Sequence, residues 1–482
     1  MLVPAGLAQA QLPTLGDGSE MTVSAERRLG ARIARELYRD PDYIDDPVTS
    51  EYVQGLWQPL LAAARARGEL TTDMDERFAW EILLGRDRTV NAFALPGGYL
   101  GLHLGLIGIV ANRDELASVL AHELSHVTQR HIARMTTQQT RIAPWMLGAM
   151  ILGAMAIGRN ADLGNALITG GQALAIQNQL NFSRDMEREA DRIGYGVLTQ
   201  AGFDGQGFVT MFDKLQQAAR LNDSGSFPYL RTHPMTTERI AGMQARQQLG
   251  AKPEAAPAGM EHSLVAARAR ALSVTAVDAL RSRVVEAGAP GLASQPAPRQ
   301  AAVLYAAVLA QSRLKDHAAA RDLLARLAAV TAGDPRGARL VRLLAAEVAL
   351  EAGEPQRAAA MVNLQADARP DVFLAAQAML RSGQARDVAQ RLQTWVAQRP
   401  RDASAWQLLS AAYAAQDQGL RSIRAAAEAQ VAMLDYAAAV DRFKAAQDLV
   451  RRGGAVDHIE ASIIDTRLRE VELLLREEAL ER

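Results

Sequence analysis

Cysteine is absent from the 482 residues. That excludes disulfide staples, thiolate zinc sites, iron–sulfur clusters and a cysteine nucleophile, so any metal must rest on His, Asp or Glu. It leaves both a cytosolic and an oxidising compartment open. An excess of one charge is missing too: 53 basic side chains face 54 acidic ones, a net charge of −1. A near-neutral balance gives no support to polyanion binding, and no nucleic-acid partner is expected. Aromatics are scarce at 5%, while Ala and Leu dominate, which favours helices packed through small residues over a β-sandwich. Long apolar runs are also lacking. The nearest, Trp145 to Gly158 (WMLGAMILGAMAIG), falls short of the roughly 18 residues that a spanning helix needs. It reads as a buried helix or as a segment that touches a membrane or covers an active site. No membrane span is expected; peripheral membrane contact is allowed.

The length favours two or three domains. Residues 1–20 read as a leader: Ala8-Gln9-Ala10 has the small-x-small pattern that precedes signal cleavage, without the basic and apolar regions before it, so a signal-peptide remnant and a plain tail both stand. Composition changes near residue 251, where the Pro/Ala/Gly-rich run Ala251 to Met260 reads as a linker. The expected division is a metal-bearing domain over 21–250, the linker 251–260, and a helical domain over 261–482. The last contains paired helices. Leu340, Leu343, Leu344 and Val348 form one stripe, Gly353 ends that helix, and Ala358, Ala359 and Val362 continue in a second. Gly383 marks another turn, and Ala427, Ala439, Phe443 and Ala446 belong to a third unit. Helix–turn–helix units with small residues at close contacts resemble degenerate tetratricopeptide repeats, which stack to leave a groove for peptides or partner proteins.

The strongest motif is His122-Glu123-Leu124-Ser125-His126. Asn112 can cap its helix, with Glu115 three residues on as in a capping box. Leu116, Val119, Leu120 and Val127 make an apolar stripe. Histidines four apart project from one helical face and can grip one metal ion. Glu123 can lean over the open coordination position, take a proton from the attacking water and pass it to the leaving amine. By composition, HExxH arises by chance in about one such chain in a hundred. A hydrolytic zinc site needs a third protein ligand. The best candidate is Glu187, on a helix capped by Ser183 and running to about Gln200, with Asp191 one turn on to orient a ligand histidine. Glu189 is the competing ligand, but it points about 200° around the helix from Glu187.

Pro234 forces His233 out of the helical region and onto a loop, where it can reach a metal or stabilise an oxyanion. Arg239 can face the same cleft. His131 reads as outer support or structure; His103, His262, His317 and His458 carry no functional expectation. Upstream, two short apolar runs flank Pro96-Gly97-Gly98, a hairpin signal. Its residues Asn91, Ala92, Phe93, Gly97 and Gly98 can offer a strand edge to substrate backbone, or serve structure alone.

HELSH (His122 to His126), EREAD (Glu187 to Asp191), NAFALPGG (Asn91 to Gly98) and THPMTTER (Thr232 to Arg239) occur in an order that resembles Ste-type and HtpX-like zinc endopeptidases. With the repeat-like half, the chain resembles their periplasmic branch in Gram-negative bacteria, the BepA-like group. The resemblance implies a mainly α fold, with a zincin-like α+β metallopeptidase domain bearing a small sheet, then a helical repeat domain. It implies one Zn2+ per chain on His122, His126 and Glu187, with Glu123 as base. His233 is implied as a fourth ligand that keeps the protease latent, and the segment around Trp145 to Gly158 as a cover. The implied partners are outer-membrane β-barrel proteins and their assembly machinery, met through the repeats, with assembly assisted and stalled barrels degraded. A non-proteolytic chaperone or scaffold with a closed structural zinc site is the alternative reading, because four protein ligands close a zinc site.

Overall fold

The computed structural model describes residues 21–138, 183–220, 226–246, 259–452 and 457–480. The leader, the Trp145 to Gly158 segment and all but the end of the linker lie outside the described residues.

The first half is helical around a small sheet. Helices α1 (Val23–Arg39), α2 (Pro47–Ala66) and the short α3 (Thr72–Arg77) precede strand β1 (Glu81–Gly85). β2 (Ala92–Leu95) and β3 (Tyr99–His103) form the expected hairpin across Pro96–Gly98. The sheet order is β1-β3-β2, with β1 parallel and β2 antiparallel to β3. The hairpin turn needs glycine. Gly97 has φ +71°, and a Cβ there would stand 2.6 Å from the Arg27 Cα of α1.

After α4 (Leu104–Ile109) comes α5 (Arg113–Thr128), which carries the HExxH residues, and α6 (His131–Gln138). The Asn112 side chain accepts the amides of Asp114 and Glu115. Glu115 reaches one residue farther back than a capping box does, to the Ala111 amide at 2.6 Å. α7 (Arg184–Gln200), capped by Ser183, lies across α5. Gly194 permits the close approach: a Cβ there would sit 3.1 Å from the Ala121 carbonyl oxygen. α8 (Gln206–Arg220), the single turn α9 (Tyr229–Thr232) and α10 (Thr237–Gln244) complete this half.

The second half opens with α11 (Met260–Leu272) and α12 (Val277–Ala287). Antiparallel pairs follow: α13 (Ala297–Arg313) with α14 (His317–Thr331), α15 (Pro335–Glu351) with α16 (Pro355–Met361), and α17 (Arg369–Arg381) with α18 (Ala385–Gln398). Then come α19 (Ala403–Ala414) with α20 (Gly419–Ala432), and α21 (Tyr436–Arg451) with α22 (His458–Leu480). The stripe Leu340, Leu343, Leu344 and Val348 is buried, and Gly353 and Gly383 both take positive φ at the turns. Among the described residues, no helix is long and apolar enough to cross a membrane.

The halves share one core. A continuous buried cluster runs from Val48 and Trp57 of α2 through α4, α5 and α8 into α11, α13, α15 and α17. Arginines of the second half also grip an acidic stretch of the first. Arg268 meets Asp46 at 2.6 and 2.8 Å, Arg339 meets Glu51 at 2.6 and 3.1 Å, and Arg369 meets Asp45 at 2.7 and 2.6 Å. Buried His262, which carried no functional expectation, joins the Tyr52 hydroxyl (2.7 Å) to the Val110 carbonyl (3.0 Å). At the far end, Arg35 of α1 pairs with Glu478, and Arg39 with Asp435 at 2.8 Å. Met433 and Leu434 pack beside the cluster of Leu29, Ile33, Leu95, Tyr99 and Met186. The helical arc therefore returns to α1.

Candidate metal centre and active site

His122, His126, Glu187 and His233 are all buried, and one ligand atom from each lies within 4.8 Å of the others. Two helices and a loop bring them together. α5 supplies the histidines one turn apart, with Nε2 atoms 3.0 Å from each other. α7 supplies Glu187, whose Oε1 lies 3.4 Å from His126 Nε2 and whose Oε2 lies 3.5 Å from His122 Nε2. His233, just after α9, puts Nδ1 3.0 Å from Glu187 Oε1 and 3.3 Å from His122 Nε2. Nitrogens and carboxylate oxygens crowded in a buried pocket without a cation would be costly. The donor set suits a divalent metal of zinc type, and the sequence-predicted ligands therefore converge.

A surrounding frame orients them. Asp191 Oδ1 lies 3.0 Å from His122 Nδ1, an ionic contact not aligned as a hydrogen bond. Arg239 grips Asp191 with two bonds of 2.7 and 2.8 Å and stands 2.7 Å from Glu187 Oε2. His131 Nδ1 is 2.9 Å from His126 Nδ1, and its Nε2 is 3.0 Å from Glu189 Oε2. Glu189 thus belongs to the frame, and Glu187 faces the centre.

The side chains polarise one another. Burial works against a charged His122 ring, but Asp191 and Glu187 outweigh it and raise its pKa to about 9. Burial pushes His126 well below its ordinary value. Glu187 is held well below the carboxylate range: burial opposes this, and His233 and Arg239 prevail. Asp191 is lowered likewise, with Arg239 overriding burial.

Glu123 is fully buried. Its Oε2 accepts the Ala94 amide at 2.9 Å, while Oε1 makes no hydrogen bond and lies 3.5 Å from His233 Nε2. Ala94 is on β2, so the hairpin stands directly over the HExxH helix. The alternation of the strand decides which backbone groups face outward. The Asn91 carbonyl accepts the His103 amide of β3 at 3.0 Å, and Phe93 is paired with Gly101. Val90, Ala92 and Ala94 then face the other way. Consistent with this, the Val90 amide donates to Ser226 O at 2.8 Å, and the Val90 carbonyl accepts the Tyr229 amide at 3.3 Å.

This refines the expected substrate edge. Ala92 lies on the outward register, joined by Val90 and Ala94, while Asn91 and Phe93 turn their backbone toward β3. Gly97 and Gly98 are not available as an edge, because α1 and Phe78 close over them and Ala79 N donates to Gly97 O at 2.9 Å. Sequence reasoning also missed Tyr229, which stacks on His233 with ring centroids 4.4 Å apart and planes at 24°. Its position four residues before His233 was the available signal.

Comparisons with known proteins agree with this geometry. The sequence profile of peptidase family M48 matches residues 60–247, which contain every residue of the cluster. The beta-barrel assembly-enhancing protease of Escherichia coli K12 is 31% identical over 426 residues, 86% of this chain and 83% of that protein. A Vibrio cholerae relative is 36% identical over 238 residues, 49% of this chain; the match spans about half (47%) of that relative's length. The mitochondrial metalloendopeptidase OMA1 of Schizosaccharomyces pombe is 33% identical over 161 residues, 33% of this chain and 44% of that protein. The match over most of the chain, together with the profile around the His–Glu cluster, shows that this chain belongs to peptidase family M48.

Proposed function

We propose that the protein is a zinc-dependent endopeptidase of the Gram-negative periplasm, latent at rest, with His122, His126 and Glu187 holding the metal. The carrying observation is the Glu123 carboxylate: anchored by one oxygen on Ala94, it leaves the other without a hydrogen bond beside the cluster. A bound metal supplies a Lewis acid that polarises a peptide carbonyl and makes water more acidic. The protein's own residues do the rest. The outward groups of β2 align the peptide backbone. Glu123 Oε1 accepts the proton of the attacking water as its oxygen bonds to the carbonyl carbon, then returns it to the amide nitrogen as the C–N bond breaks. His233 lies 3.5 Å from Glu123 Oε1 and 3.0 Å from Glu187 Oε1, among the ligand atoms, which supports latency.

Likeness to the Escherichia coli beta-barrel assembly-enhancing protease supports a role in outer-membrane β-barrel assembly; our reading adds that the chain degrades misassembled barrels and meets clients and the assembly machinery through its tetratricopeptide-like half. We read residues 21–250 as the metal-bearing domain and 261–482 as the repeat domain. His233 also favours a second reading, a non-proteolytic chaperone with a closed structural metal site. Glu123→Gln and His233→Ala separate the two in a casein-cleavage assay. The protease reading expects no cleavage from the first and increased cleavage from the second, with metal retained in both. Cleavage that persists in Glu123→Gln overturns it, and no gain in His233→Ala overturns latency.

A further inference from the structure

Tyr229 joins two parts of the site. Its amide donates to Val90 O on the substrate-edge register, and its carbonyl accepts the His233 amide at 2.9 Å. Its ring stacks on the His233 imidazole. The side chain is 3% exposed.

We propose that Tyr229 is a positioning residue that seats His233 through its ring and ties it to the β2 edge through its backbone.

The proposal rests on the protease reading and deepens it. The stack gives His233 a defined seat. Because Tyr229 O and His233 N are bonded across α9, the ring and the imidazole move as one body. Ser226 and Tyr229 already pair with Val90, next along the outward register from Ala92. A peptide strand that extends along β2 to Val90 therefore competes with the same segment that carries His233. Substrate binding and latch release become one event.

The test is a set of variants of the full chain, with fluorescein-labelled β-casein as probe. Tyr229→Phe keeps the ring, removes only the hydroxyl and serves as the control. Tyr229→Leu removes the stack. The activation ratio, His233→Ala over its His233 parent, should fall toward one in Tyr229→Leu and keep its wild-type value in Tyr229→Phe, a double-mutant cycle between ring and imidazole. Hydrogen exchange supplies a readout independent of turnover. The amides of Val90, Tyr229, Leu230, Arg231 and His233 should be protected in the wild type and in Tyr229→Phe, and exchange faster in Tyr229→Leu. A wild-type activation ratio or wild-type protection in Tyr229→Leu overturns the proposal. If His233→Ala shows no gain, latency fails by itself, and hydrogen exchange in Tyr229→Leu still reads the seat.

Discussion

Glu189 and His131 meet at 3.0 Å, outside the cluster that Glu187 enters two residues earlier on the same helix. Arg134 donates to the same Glu189 oxygen at 2.7 Å. Two glutamates of one EREAD run therefore do different work: one faces the ligand atoms, the other holds the imidazole that supports His126.

Replacing these glutamates by alanine should separate the roles. Glu187→Ala is expected to purify with metal content near zero. Glu189→Ala should retain metal but bind it about ten- to a hundredfold more weakly, as for outer supports of metal ligands. Metal analysis after dialysis against graded chelator checks this; equal loss from both would contradict the assignment.

Arg239 balances the buried carboxylates of Asp191 and Glu187. Arg239→Met strands them, and breaking a buried ion pair from one side costs about 3–5 kcal/mol. A bound divalent cation compensates for part of the missing charge. The variant should lose more melting temperature than the wild type when chelator removes the metal, and differential scanning calorimetry with and without chelator measures the gap.

Burial pushes the Asp46 carboxyl up, but Arg268 and Thr49 override it and hold the pKa below its ordinary 3.8. A depressed folded-state pKa contributes stability that is full above the unfolded value and lost as pH falls through the folded one. Wild-type stability should therefore decline from about pH 5 downward partly through this pair. Asp46→Asn should be about 3 kcal/mol less stable at pH 7 and lose less on acidification. Urea unfolding at pH 7, 5 and 4 tests both statements.

Leu434 has φ +61° in the turn from α20 to α21; the turns within the α15/α16 and α17/α18 pairs use Gly353 and Gly383. The left-handed conformation costs a non-glycine residue about 1–2 kcal/mol. Its packing beside the α1 cluster is the visible compensation. Leu434→Gly should relax the turn yet speed hydrogen exchange in α1, because the far end of the arc loses its anchor. Unchanged α1 exchange would remove that role from Leu434.

Local features were legible in the sequence and long-range ones were not. Period and spacing revealed the HExxH helix, the Asn112 and Ser183 caps, the hairpin and the choice of Glu187 over Glu189, because each is decided within one or two helical turns. The pairing of Val90 with Ser226 and Tyr229 joins residues about 136–139 positions apart, and no local pattern announces it. Arg268 sits in an Ala-rich helix, where it reads as one more solvated arginine until Asp46 is placed beside it. Composition shifts at the linker, but nothing in that shift announces the apolar contact that joins the two halves across it.

The shared core has a consequence for how the chain comes into being. A polypeptide made or threaded N-terminus first completes its metal-binding residues at His233, well before α11 to α17 arrive to cover Trp57 and its neighbours. At about 5–20 residues per second, that interval lasts on the order of ten seconds. During it the apolar face of α2, α4, α5 and α8 that the second half covers stands open, and α5 is the helix that carries the HExxH residues.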